Sequence, residues 1–222
     1  MSAPMVIAVI GATGALGGGI AARLAKAGYE VVLGSRDAAR AEAAAEALRA
    51  ETGGAVSGAS NLAAAERAEI VFVSVPFASQ AATLAEIAPA AQGKIVVDAT
   101  VPLVPPKVAR VQLPPEGSAA AIAEAALGAG VRLVTGFHNV SAAKLRGEGA
   151  VGCDVLVFGD DVAARDVVID LVGAMGLRGV HGGPLANSAA AEAMTSVLIA
   201  INRRYKVADG AGLRITGLGD AD

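Results

Sequence analysis

Residues 5–28 read MVIAVIGATGALGGGIAARLAKAG: a short apolar run, a cluster of glycines, and a segment with helical spacing. The run Val6–Ile10 has the length of a strand and is apolar on both faces, as in a central parallel strand covered by helices. Ile20 and Leu24 recur one helical turn apart, and Gly28 provides a C-terminal stop. The stretch therefore predicts a strand, a glycine turn and a helix in direct succession.

The glycine spacing indicates what this turn could bind. Gly11, Gly14 and Gly17 form GxxGxxG, and Ala12 stands where the usual GxGxxG fingerprint has its first glycine. Between a strand and a helix, such glycines let the backbone approach a pyrophosphate, and the helix N-terminus offers N–H groups to the anion. A purely structural turn is the alternative, because the chain contains 28 Gly. The setting favours nucleotide binding.

Strands and helices alternate along the rest of the chain. Strand-like segments occur at 29–34, 69–75, 94–99 and 153–159, and VRLVTGFHN at 131–139 holds another strand and its exit loop. His181 follows a further short strand. Helical segments occur at 38–50, 79–88, 119–127 and 186–207. Ser60 or Asn61 can cap a further short helix, and Asp160 or Asp161 can cap a helix that ends at about residue 174. This alternation predicts the α/β class, with a Rossmann-type doubly wound, mainly parallel sheet and a small carboxyl-terminal α/β and helical portion. Residues 101–116 hold five of the nine prolines and are expected to form an irregular loop beside a site.

Composition excludes several classes of function. A net charge of -3 gives no positive electrostatic field that would attract nucleic acid, and aromatic residues at 3% offer few side chains on which bases could stack. The first 22 residues carry no charged side chain, but they lack a basic leader and are broken by glycines, so no membrane span or targeting segment is expected. Cys153 is alone, which favours a reducing compartment and makes the cytoplasm the expected location. Two distant histidines and one cysteine predict no metal site.

The residues after the second strand select the nucleotide. The chain reads GSRDAAR at 34–40, where a protein that prefers NAD usually places an acidic residue. Ser35, Arg36 and Arg40 suit a 2′-phosphate, provided that Asp37 caps the following helix instead of facing the ligand. This favours NADP. A solvated helix face, with the arginines paired to Glu42 and Glu46, is the alternative.

Later strand exits supply further candidates. Ser74 to Pro76, like Ala99 and Thr100, follow predicted parallel strands and are expected beside the cofactor at the carboxyl edge of the sheet. Ordinary strand exits are the alternative reading. His138 lies in another such loop, where a position in the cleft is favoured over that of a buried structural histidine.

Five stretches give the chain a resemblance to the NADPH-dependent oxidoreductases of the deazaflavin coenzyme F420. They are GATGALGGGIAARLAKAGYEVVLGSRD, SVPF at 74–77, VPLVP at 101–105, GFHNVSAAKL at 136–145 and GPLANSAAAEAMTSVL at 183–198. The resemblance implies hydride transfer between the nicotinamide of NADP and the deazaflavin ring. It also implies an NADP-binding Rossmann domain over residues 1–150 and a small domain over 151–222 that closes the coenzyme cleft.

The resemblance also assigns residues. Thr13, Ser35, Arg36 and Arg40 would hold NADP, although the family commonly has a lysine at the place of Arg40, while His138, Asn139 and Val140 would border the deazaflavin. Hydride exchange between two bound rings needs alignment and exclusion of water, so no catalytic acid is expected. The complete expected cofactor-binding set is Thr13, Gly14, Ala15, Leu16, Ser35, Arg36, Arg40, Ser74, Val75, Pro76, Ala99, Thr100, His138, Asn139 and Val140.

Other functions remain open on the sequence alone. One is an NADPH-dependent reductase of flavins, metal ions, imines or keto acids, and another is a regulator that senses NADP without hydride transfer. The small residues of the last helix, among them Ala189, Ala191 and Ser196, permit close helix contact and suggest a homodimer. The expected partners are otherwise small-molecule coenzymes.

Overall fold

A computed structural model describes residues 5–147 and 149–218 and contains an eight-stranded sheet with the strand order β3-β2-β1-β4-β5-β6-β7-β8. The strands are β1 (Val6–Ile10), β2 (Glu30–Ser35), β3 (Val56–Ser60), β4 (Ile70–Val73), β5 (Ile95–Asp98), β6 (Arg132–Thr135), β7 (Asp154–Phe158) and β8 (Arg178–Gly183). The helices are α1 (Ala15–Lys26), α2 (Ala38–Thr52), α3 (Asn61–Arg67), α4 (Phe77–Ala91), α5 (Ala119–Leu127), α6 (Ala142–Arg146), α7 (Val162–Ala174) and α8 (Ser188–Tyr205), with a 3₁₀ turn at Leu185–Asn187. This is the predicted Rossmann-type α/β fold.

The first six strands are all parallel, so their carboxyl ends meet at one edge of the sheet. Ile10 pairs with Val73, Val73 with Asp98, and Asp98 with Thr135, which places four strand ends in one row. The strand order reverses between β1 and β4, and ligands of doubly wound folds bind at such a reversal. The exits at residues 11, 74, 99 and 136 are therefore neighbours, as the sequence predicts.

The carboxyl-terminal portion extends the same sheet. β7 runs antiparallel to β6, with Thr135 opposite Phe158, and β8 runs parallel to β7. The sheet is thus mainly parallel, with one reversal of direction. α7 covers these added strands and α8 packs against α5.

Helices cover both faces of the sheet. One apolar core joins Ile7, Val9 and Phe72 to α1, α2, α6 and α7, while the other joins Ala8, Ile10 and Val71 to α3, α4 and α5. Alternate residues of β1 point into the two cores because side chains alternate along a strand. Burial on both sides explains why Val6–Ile10 is apolar throughout. No helix in the described part of the chain is both long and apolar enough to span a bilayer.

Local signals place four of the helix starts. Asp37, Ser60, Ser118 and Asp161 accept backbone hydrogen bonds at the N-termini of α2, α3, α5 and α7. Two elements, β3 and α6, are not anticipated by the sequence pattern. α4 begins at Phe77 rather than at residue 79, and His181 lies within β8 rather than after it.

Candidate functional site

A cavity of about 450 Å³ opens at the carboxyl edge, where the strand order reverses. Three chain segments that the sequence predicts as binding elements surround it: the glycine turn, the exit of β2 and the exit of β4. Its lining comprises Gly11, Thr13, Gly14, Gly34, Ser35, Arg36, Asp37, Arg40, Asn61, Ser74, Val75, Pro76, Ser79 and Thr83. Eight of the fifteen expected binding residues thus meet around one cavity.

The glycine turn is shaped by contacts that no side chain would permit. Gly11 has φ +84°, and a Cβ there would collide with the carbonyl oxygen of Ser74. A Cβ on Gly17 would lie 2.7 Å from the carbonyl oxygen of Gly11, so the helix packs directly on the turn. Gly14 is the N-cap of α1, and a Cβ added there would have only the Gly11 oxygen within 4 Å, at 3.2 Å. Gly14 is therefore open on the side from which a ligand would approach.

Two helices point their N-termini at this cavity. α1 begins after its N-cap Gly14 and α4 after Pro76, and neither start has a side-chain hydrogen bond to its backbone. The same holds at α6 and α8, whereas side chains cap α2, α3, α5 and α7. Unsatisfied N–H groups and the positive end of the helix dipole attract anions. The cavity wall therefore suits a diphosphate.

The exit of β2 carries two arginines and a serine. Arg36 and Arg40 are exposed, and within residues 5–147 and 149–218 neither guanidinium forms a hydrogen bond or an ion pair. Asp37 accepts hydrogen bonds from the backbone N–H groups of Ala39 and Arg40, at 3.0 and 3.3 Å, so it caps α2 as expected. Ser35 Oγ accepts from Asp37 N at 3.2 Å and keeps its own O–H for a ligand.

Pairing of the arginines with nearby glutamates, the alternative reading, does not occur here. Glu42 instead accepts hydrogen bonds from Arg49, at 3.0 Å, and from the backbone N–H of Gly58, at 2.8 Å. The Gly58 amide and the Arg49 side chain lower the pKa of Glu42. The Arg36 and Arg40 guanidinium groups thus border the cavity with their donors available.

A second cavity of about 530 Å³ lies on the other side of the glycine turn, between α1, α2 and α6. Thr13, Gly14 and Ala15 border it, as does Arg146, which pairs with Glu51 at 2.7 Å. Leu16 packs against the core beneath α1. Of the expected residues, Thr13 and Gly14 therefore border both cavities, Ala15 borders only the second, and Leu16 borders neither.

Ala99 and Thr100 lie at the exit of β5 and are buried. They neighbour the end of β4, which borders the first cavity, but they line neither cavity. Asp98, also buried, accepts from the backbone N–H of Thr100 at 3.1 Å and from its hydroxyl at 2.6 Å. Gln80 donates to the same carboxylate and to the carbonyl of Ala119. Burial raises the pKa of Asp98 to about 6 despite these donors.

The loop after β6 carries the remaining expected residues. Phe137, near its start, has a φ of 65°, which is unusual for a residue with a side chain, and its ring packs edge-on against Phe72. His138 is 6% exposed, and neither ring nitrogen has a hydrogen-bond partner among the described residues. Burial lowers its pKa to about 4, so the imidazole is neutral near pH 7. Asn139 and Val140 are buried beside it.

Sequence reasoning missed several polar residues of this region. Asn61, Ser79 and Thr83 line the first cavity, and each belongs to a helix whose sequence pattern indicates only packing. Gln80 and Glu192 are buried and hydrogen-bonded near the β5 exit. Asn61 was visible as a possible helix cap, but a polar residue in a helical segment carries no local sign that it faces a cavity.

Comparisons with known proteins point in one direction. Residues 6–102 match the family model described as NADP oxidoreductase, coenzyme F420-dependent. The F420-dependent NADP reductases of Methanothermobacter marburgensis and Methanocaldococcus jannaschii are 41% and 38% identical, each match covering 96% of this chain and 99% of the relative. A crystal structure from Arthrobacter sp. FB24, described as that of an F420-dependent NADP reductase, superposes with a TM-score of 0.80 at 26% identity, over 95% of this chain and 99% of that one.

Proposed function

This chain belongs to the family of F420-dependent NADP reductases, and on that premise we propose how its residues hold the two coenzymes. It is an oxidoreductase that transfers a hydride between NADP(H) and coenzyme F420. The observation that carries this conclusion is identity of 38–41% to three such reductases over 96% of the chain. The resemblance identified in the sequence is thereby confirmed.

NADP fits the cavity that the glycine turn borders. Thr13 to Leu16 would supply backbone N–H groups to the diphosphate, with Ser74 to Pro76 on its other side. Ser35, Arg36 and Arg40 would bind the 2′-phosphate. Three observations support this placement: the available guanidinium donors, the capping role of Asp37, and the open side of Gly14.

The two rings would meet further along the carboxyl edge. Ala99 and Thr100 leave the strand next to β4, and His138 to Val140 follow the strand after that, so the nicotinamide would lie toward the former and the deazaflavin toward the latter. When bound, the two coenzymes supply the hydride donor and acceptor themselves. The residues of this edge align the rings and exclude water, and the neutral His138 orients rather than protonates.

Residues 151–222 are proposed to close this cleft as a small domain. Support comes from two contacts with α8: Thr195 Oγ1 donates to the carbonyl oxygen of His138 at 2.8 Å, and the Asn139 side chain donates to the carbonyl oxygen of Ala191 at 2.9 Å. Because the proposed ring-binding loop is tied to α8, the carboxyl-terminal portion sets the shape of the cleft. The boundary at residue 150 stays a prediction, since the sheet runs through both portions.

We propose that a second copy of the chain covers the outer face of α8. Val197, Ile201 and Tyr205 lie four residues apart on this face, and Tyr205 is 74% exposed. Of the small residues favoured from the sequence, Ala191 and Ser196 are not available for such a contact, because they are buried within the chain. Light scattering should give a dimer mass, and Ile201→Asp should shift it toward the monomer, whereas Asp170→Asn on α7 should not. A monomeric wild type would refute the homodimer.

The cytoplasm is the proposed location, and the buried single cysteine supports a reducing compartment without testing it.

An absorbance assay tests the proposed activity. Purified protein should exchange hydride between NADPH and coenzyme F420 in both directions and should not sustain turnover with FMN or FAD. A flavin reductase would show the reverse preference. A regulator would bind NADPH without consuming it. Either result, with folded protein, would refute the proposed function.

A further inference from the structure

One face of α8 consists of buried polar residues. Ser188, Glu192 and Ser196 are spaced by one helical turn, and Thr195 lies beside them on the same side. They belong to the stretch GPLANSAAAEAMTSVL, to which the coenzyme-binding assignments give no role. The large majority of buried polar groups in proteins are hydrogen-bonded, so the contacts on this face identify what the helix holds.

Glu192 caps a helix from outside it. Its carboxylate accepts hydrogen bonds from the backbone N–H groups of Ala119, at 2.6 Å, and Ala120, at 3.1 Å. Together with Ser118, whose hydroxyl accepts from the N–H of Ala121, it satisfies the first three donors of α5. The side chain is 1% exposed, and burial raises its pKa although the amides of Ala119 and Ala120 and the Ser188 hydroxyl favour the carboxylate.

From α5 the contacts continue to the exit of β5. The carbonyl of Ala119 and the carboxylate of Asp98 both accept from the side-chain amide of Gln80, and Asp98 in turn holds the N–H and hydroxyl of Thr100. Every side chain along this path is buried. Glu192 is therefore connected to Thr100 through a short, continuous series of hydrogen bonds.

A second branch leads to the exit of β6. Ser188 Oγ donates to Glu192 at 3.0 Å and accepts from Thr135 Oγ1 at 2.8 Å. Thr135 is the last residue of β6, and His138 follows three residues later. The same carboxylate thus fixes the starting points of both loops that are proposed to carry the rings.

We propose that Glu192 is a positioning residue for the hydride-transfer edge, holding Thr100 through α5, Gln80 and Asp98, and the His138 loop through Ser188 and Thr135. This inference rests on the proposed function for the identity of the rings. Glu192 touches neither coenzyme in this arrangement. Its effect is on the relative placement of the two loops, to which hydride transfer is sensitive because misplacement by about 1 Å can cost about a hundredfold in rate.

Glu192→Gln tests this role, with Glu124→Gln on the exposed face of α5 as the matched control. The glutamine has the same shape but presents an N–H₂ group to a site built from donors, so one contact must be lost. We expect kcat/KM for coenzyme F420 to fall by about tenfold to a hundredfold, with the Kd for NADPH unchanged within about twofold. NADPH affinity should be spared because the phosphates are proposed to bind at other strand exits. Glu124→Gln should match the wild type in both measurements.

Amide hydrogen exchange at Thr100 separates this connection from a cap that serves α5 alone. Glu192→Gln should speed exchange at Ala119 and Ala120 and also at Thr100, while β1 and α1 stay protected. Faster exchange at α5 with Thr100 unchanged would overturn the connection. If the wild type reduces coenzyme F420 and the variant keeps its kcat/KM, this inference alone is wrong. A wild type without F420 activity would refute the proposed function and, with it, this role.

Discussion

Arg36→Ala should separate NADPH from NADH. The guanidinium is exposed at the cavity mouth and has no partner among the described residues, so its removal leaves no buried group unsatisfied and should cost little stability. A charge-assisted hydrogen bond to a phosphate is worth about 1.5 to 3 kcal/mol. Losing it corresponds to an affinity decrease of about tenfold to a hundredfold. NADH lacks the 2′-phosphate, and its affinity should change by less than about twofold on that account.

Fluorescence titration of both nucleotides measures this separation directly. Arg49→Ala, near the other end of α2, is the control, because Arg49 pairs with Glu42 and does not line the cavity. It should leave both affinities unchanged. An equal loss of NADPH and NADH in Arg36→Ala would place the arginine at a shared part of the nucleotide and refute the 2′-phosphate assignment. Unchanged NADPH binding would return Arg36 to the solvated helix face.

Three other substitutions and one pH series test individual contacts. Gly14→Val should fold, because a Cβ there meets only the Gly11 oxygen. Its affinity for NADPH, measured by titration, should fall by about tenfold or more. Unchanged binding would favour a purely structural turn. His138→Ala should raise the Kd for coenzyme F420 by about tenfold and lower kcat by less than about threefold, because the imidazole orients the coenzyme. A large loss of kcat at unchanged Kd would contradict this role. Arg23 donates to five backbone carbonyls near the ends of α6 and α7. Arg23→Ala should therefore lower the free energy of unfolding, measured by urea denaturation, by about 3 kcal/mol. A loss below about 0.5 kcal/mol would show that these contacts contribute little to stability. Burial raises the pKa of Asp98 from 3.8 to about 6, so the protonated carboxyl stabilises the fold at low pH, and that contribution is lost as pH rises through about 6. The difference in unfolding free energy between wild type and Asp98→Asn should therefore change by about 3 kcal/mol between the two pKa values. A difference that does not vary with pH would refute the shift.

The sequence by itself determined the parts that depend on neighbouring residues. The apolar run before Gly11, the caps at Asp37 and Ser118, and the proline-rich interruption after β5 each act over a few positions. Because parallel strands joined by helices bring their carboxyl ends together, these local signals also located the cavity formed by the glycine turn and the exits of β2 and β4. The same signals found eight of the lining residues without any knowledge of tertiary contacts.

Tertiary structure alone decided the rest. β3, with the sequence VSGAS, has no apolar alternation, and it forms because Gly58 allows α2 to approach so closely that any Cβ there would collide with the backbone of Glu42. The direction of β7 and the connection from Glu192 to α5, across 73 residues of sequence, likewise have no local sign. A carboxylate in an Ala-rich helix looks the same in sequence whether it faces water or caps another helix. Only packing fixes which face of α8 is buried, and burial is what turns Glu192 from a solvated charge into a structural acceptor.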